Sequence, residues 1–100
     1  MNKYKILFEF KQPWFISELS ASKCNMEDEL KLWFQVECDE DCRSIRLEGV
    51  EDLDLVSSLL QAEKVIISQE LMTQKELGTI RVECWVDGSY SEFWCNKFED

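Results

Sequence analysis

Apolar and polar residues alternate with a period of two along most of the chain, the pattern of strands with one buried face. Residues 3–10 put Tyr4, Ile6, Phe8 and Phe10 on one face and Lys3, Lys5 and Glu9 on the other. Pro13 cannot donate to a strand ladder and ends that run. Residues 14–19 fit a short returning edge strand, and residues 20–28 a polar loop. Residues 29–38 point Leu30, Leu32, Phe34, Val36 and Cys38 one way and Lys31, Trp33, Gln35 and Glu37 the other. The acidic turn Asp39-Glu40-Asp41 leads to a strand over 42–49 with Ile45 and Leu47 inward. Matching core to core pairs Val36 with Ile45 and Phe34 with Leu47, and sets Trp33 opposite Glu48.

Residues 52–63 change period. Asp52 fits an N-cap, Asp54 suits the first turn, and Leu55, Val56, Leu59, Leu60 and Glu63 follow helical spacing, which predicts a helix. Residues 64–71 are β-branched enough for a strand, although the run to Leu77 also fits a helix; the strand is the reading adopted. The last element is the best determined. Residues 79–86 and 89–97 both alternate, and Asp87-Gly88 between them is a two-residue type I′ turn signal. Such a turn fixes the register: Val86 faces Ser89, Trp85 faces Tyr90, Glu83 faces Glu92, Val82 faces Phe93, Arg81 faces Trp94 and Ile80 faces Cys95. One face, with Ile80, Val82, Cys84, Val86, Phe93 and Cys95, reads as core. The other carries Arg81, Glu83, Trp85, Tyr90, Glu92 and Trp94, which Trp33 could join from a neighbouring strand. The predicted fold class is α+β: a mostly antiparallel, twisted sheet of about five to seven strands with one main helix on a face.

One hundred residues make one domain, and 45% hydrophobic residues are enough for a core. The net charge of −10 is unevenly placed. Residues 1–26 carry a net +2 and residues 64–100 a net −3, whereas residues 27–63 hold twelve acids against Lys31, Arg43 and Arg46. This balance argues against direct binding to nucleic acid or an anionic membrane, which requires clustered Lys and Arg. It favours a basic protein partner, toward which a negative field speeds encounter. The run Ile6-Leu7-Phe8 is too short for a signal peptide, no segment suits a bilayer span, and the five cysteines lack a framework spacing; together these predict reduced thiols in a cytoplasm.

The residues offer little for catalysis. There is no histidine, and no Gly-rich phosphate loop is possible among three glycines. Asp39-Glu40-Asp41 lacks the glycine and distal glutamate of a calcium loop, and Cys38 and Cys42 fall on opposite faces of their hairpin with no second pair to complete a zinc site. No enzymatic activity, metal or cofactor is expected. Two candidate surfaces remain. The acids Glu37, Asp39, Glu40, Asp41, Glu48, Glu51, Asp52 and Asp54 could meet a positive surface, solvated acids being the ordinary alternative. The aromatics Trp33, Trp85, Tyr90 and Trp94, interleaved with charge, have the makings of interface anchors, cover by the helix being the alternative.

In size, acidity and aromatic richness the chain is similar to bacterial immunity proteins, though it carries no family motif. That similarity implies an inhibitor of a basic toxin, of nuclease type, whose active site it would block. Two rivals are a phage-encoded inhibitor that mimics DNA, which requires acids spaced along a long face, and a homodimeric structural or adaptor subunit with the aromatic face buried against itself.

Overall fold

The computed structural model describes residues 4–23, 25–26, 29–50, 53–70 and 80–100, with only the backbone of 53–55. The strands are β1 (Tyr4–Lys11), β2 (Phe15–Ser22), β3 (Leu30–Cys38), β4 (Asp41–Val50), β5 (Lys64–Glu70), β6 (Ile80–Val86), β7 (Ser89–Cys95) and β8 (Lys97–Glu99). They form two four-stranded antiparallel sheets, ordered β1-β5-β6-β7 and β2-β3-β4-β8. The inner faces of both sheets feed one core, in which Phe34, Leu32, Ile45 and Leu47 from the second sheet join Ile67, Val65, Val82 and Cys84 from the first. The fold is thus nearly all β, and the expected α+β arrangement of a single sheet under one main helix is not what forms. Alternation along a strand reports which side chains go inward. It does not report which of two sheets the strand joins, so one sheet and two facing sheets share the same sequence pattern.

The predicted helix over 52–63 is replaced by a 3-10 segment, Leu53–Gln61. Its burial explains the change. Val56, Leu59 and Ala62 are buried at intervals of three, the 3-10 period, whereas Leu60 is 50% exposed. The sequence reading gave Leu59 and Leu60 a shared apolar face; the structure uses only Leu59. Val56 and Leu59 enter the core between the sheets, so the segment fills the sandwich interior as the chain crosses from β4 to β5 and covers no outer sheet face. Glu63 then ties the crossing down: its amide donates to the Trp85 carbonyl at 2.8 Å and its carbonyl accepts from the Gln12 amide at 2.9 Å.

Two departures from the expected pairing are informative. The register of β1 against β5 shifts between Ile6 and Phe8, so Ile6 stands opposite Ser68 while Phe8 stands opposite Ile67. A bulge of this kind moves one part of a strand to the other face. Phe8 and Phe10 stay in the core, but Ile6 turns outward and is 55% exposed. In the second sheet the β3–β4 turn uses only Asp39-Glu40, with Asp39 at φ 55°, and pairs Cys38 with Asp41. Phe34 therefore faces Ile45, Leu32 faces Leu47 and Trp33 faces Arg46, two residues away from the expected pairing.

The C-terminal hairpin has the predicted register at every pair. Asp87 and Gly88 have φ of 50° and 81°, as the type I′ turn requires. The expected strand over 89–97 stops at Cys95, because the chain turns at Asn96 and crosses to the second sheet, where Phe98 pairs with Leu47. Gly49 makes that crossing possible. Its φ is +78°, and a Cβ there would meet the Asn96 side chain, with Cγ at 2.7 Å. Asn96 Nδ2 lies 3.1 Å from both carboxylate oxygens of Glu29, and the Asn96 amide donates to the Glu48 carbonyl at 2.8 Å.

Candidate functional site

The structure divides the sequence-predicted site between the two sheets. Trp33 lies on the outer face of β2-β3-β4-β8, opposite Ser20 and Arg46. Trp85, Tyr90 and Trp94 lie on the outer face of β1-β5-β6-β7. Trp33 therefore does not join the hairpin aromatics. Glu51 and Asp52 lie outside the described residues, and Asp54 falls in the 3-10 segment with its side chain outside them.

The acids that remain are of two kinds. Glu48 is absorbed into its own sheet, with Lys31 Nζ at 3.8 Å and Lys97 Nζ at 3.9 Å. Glu37, Asp39, Glu40 and Asp41 instead gather at the end of the β3–β4 hairpin, where Asp39, Glu40 and Asp41 are exposed. Among the described residues none of these four has a cation within ion-pair distance. The nearest basic residue in the chain, Arg43, is used elsewhere: its guanidinium pairs with Asp100 at 2.9 Å and stacks over the Phe8 ring at 5.1 Å, closing that end of the core. The Cys38 thiol beside these acids is harder to ionise than a free one, first through lost solvation and then through the charges of Asp39 and Asp41.

Sequence reasoning missed one residue of this site. Phe15 stands directly opposite Glu37 across β2 and β3 and is 51% exposed, on the free edge of the second sheet. Its signal was parity. On β2 it falls in the outward phase, opposite to Ile16, and an outward Phe beside an acidic turn is an apolar anchor next to a charged rim.

On the first sheet, Trp85 and Tyr90 meet edge to face with ring centroids 5.1 Å apart, and Lys64 Nζ lies 5.0 Å from the Trp85 ring centroid. The Tyr90 hydroxyl sits between Glu83 Oε1 at 2.8 Å and Glu92 Oε2 at 2.7 Å. Arg81 Nη2 approaches Glu83 Oε2 at 3.5 Å, and its guanidinium lies over the Tyr4 ring at 3.9 Å. This face is thus cross-linked within itself by charge and hydrogen bonds. Lost solvation, then the hydrogen bonds to Glu92 and Glu83, hold the Tyr90 phenol well above the usual tyrosine range. Behind it, burial pushes the Cys84 and Cys95 thiols up to about 12. Cys84 faces Ser91 and Cys95 faces Ile80, and both thiols are free. Among the described residues no three His, Cys, Asp or Glu side chains come together as a metal site.

The fold and these surfaces define a small antiparallel β-sandwich with an acidic hairpin end. No protein-family model, curated protein or solved structure matches the chain. No helix among the described residues is long and apolar enough to cross a membrane.

Proposed function

We propose that the protein is a small cytoplasmic inhibitor that binds a basic protein through the β3–β4 end of its second sheet. The reading rests on one observation: four acids, Glu37, Asp39, Glu40 and Asp41, stand together without a cation of their own among the described residues, directly beside the exposed Phe15. Like charges held this close are mutually repulsive, and a positive partner relieves that cost on binding. The acids steer encounter and Phe15 supplies the apolar contact that slows dissociation. A positively charged catalytic cleft, such as that of a nuclease toxin, presents the complementary surface, and an immunity-type inhibitor is the sharpest form of the proposal. Among the described residues these four acids bunch at one hairpin instead of tracking a long face, which disfavours the DNA-mimic alternative.

The test is affinity capture from native lysate at low and high salt with the wild-type protein and with Asp39→Asn/Glu40→Gln/Asp41→Asn. Asn tolerates positive φ, so the substitution at Asp39 keeps the turn. A basic protein held by the wild type, released by salt and not held by the variant supports the proposal. Identical captures by both proteins contradict it. Phe15→Ser should speed dissociation of the captured partner while leaving the salt dependence of association unchanged.

A further inference from the structure

The outer face of the first sheet holds a depression of about 660 Å³ lined by Tyr4, Lys5, Ile6, Ile66, Ser68, Arg81 and Glu83. Two features of its floor are unusual. Ser68 is only 2% exposed, and among the described residues its Oγ is buried with no hydrogen-bond partner. Arg81 Nε is likewise buried and without a partner among them. The two residues face each other directly across β5 and β6, which brings their side chains within a few ångström on one face. Buried polar groups are nearly always satisfied, so two orphans side by side call for an explanation.

We infer that this depression is a binding site for a small organic carboxylate with an apolar body, separate from the acidic hairpin end. The Arg81 guanidinium is already oriented, stacked on the Tyr4 ring at 3.9 Å and held by Glu83 at 3.5 Å. Its Nε–H remains a donor, and the Ser68 hydroxyl can turn to donate beside it. Two convergent donors, one of them cationic, suit the two oxygens of a carboxylate. Lys5 and Arg81 are the cations of the lining, Arg81 being paired with Glu83. Ile6, Ile66 and the Tyr4 ring supply the apolar wall, and the volume falls within the range of small-molecule sites. The β1 bulge built this wall, since it alone turns Ile6 outward toward Ser68.

Titration of the 15N-labelled protein with phenylacetate, followed by NMR, tests the site. The Arg81 Nε–Hε signal, one of three arginine side-chain signals in the chain, and the Ser68 amide should shift saturably. The neutral 2-phenylethanol should leave both in place. Ser68→Ala should fold with undiminished stability, because its hydroxyl has no partner among the described residues, and should weaken phenylacetate binding about tenfold, the loss of one charge-assisted hydrogen bond. Absence of a saturable shift, an equal response to 2-phenylethanol, or unchanged binding by Ser68→Ala overturns the inference. A loss of stability in Ser68→Ala also overturns it, by showing that the hydroxyl is satisfied within the fold.

Discussion

Trp85 and Tyr90 stand opposite each other two residues from the Asp87-Gly88 turn, edge to face, with ring centroids 5.1 Å apart. Their contact lays the Tyr90 hydroxyl between two carboxylates that the same register places directly across from one another, Glu83 and Glu92. A phenol has one hydrogen to donate. It therefore donates to one of the two acids at a time, and its own ionisation would add a third negative charge between them.

The consequence is a pH dependence on the alkaline side. The Tyr90 phenol is held above its unfolded value, near 10, so the folded state retains a proton that the unfolded state has released. Its contribution to stability is present in full below that unfolded value and is lost as pH rises further. Ultraviolet titration should show a late tyrosine ionisation that vanishes in Tyr90→Phe. A titration curve unchanged by Tyr90→Phe on its alkaline side would contradict the raised value.

Gly49 and Gly88, both at positive φ, should differ sharply. Gly88→Ala adds a Cβ into open space, so only the left-handed backbone cost of about 1–2 kcal/mol applies. Gly49→Ala adds the same backbone cost and drives a methyl group into Asn96, for a total of about 2–4 kcal/mol. Urea denaturation of the two variants measures the difference. Equal losses would mean that the Asn96 contact does not hold β8 to the second sheet.

The 3-10 spacing of the crossing segment is open to a similar comparison. Leu59→Ala should cost about 2–5 kcal/mol, because Leu59 is fully buried in the core. Leu60→Ala, at a half-exposed position, should change stability by no more than about 0.5 kcal/mol. An α-helix sharing its apolar stripe between the two residues would make both substitutions costly.

These residues also mark where the sequence was legible. The Asp87-Gly88 hairpin could be read pair by pair, because a two-residue turn leaves one register and both flanking runs alternate without a bulge. The β3–β4 hairpin could not, because three consecutive acids concealed which two make the turn. Asp39 alone takes positive φ, and the register slid by two. Ile6 was assigned to the wrong face since nothing in Ile6-Leu7-Phe8 announces a bulge. The helix failed because apolar residues at spacings of three and four are both present over Leu55–Leu60, and only tertiary packing chose three. The candidate site suffered most from the division into two sheets. Trp33 and Trp85 have the same outward phase on their strands, but outward means opposite directions in a sandwich. Of the predicted acids, Asp39, Glu40 and Asp41 kept their exposed place, while Glu48 went to its own lysines.

The central claim is that the acidic hairpin end steers a basic partner onto this protein. The most direct measurement is the association rate with the captured partner across a range of ionic strength, for the wild type and for Asp39→Asn/Glu40→Gln/Asp41→Asn. The account predicts a wild-type rate that falls steeply with salt, and a variant rate that is at least tenfold slower at low salt with a much flatter dependence, on the order expected for steered association. Equal rates and equal salt slopes for the two proteins would contradict it and return these acids to the role of solvated surface.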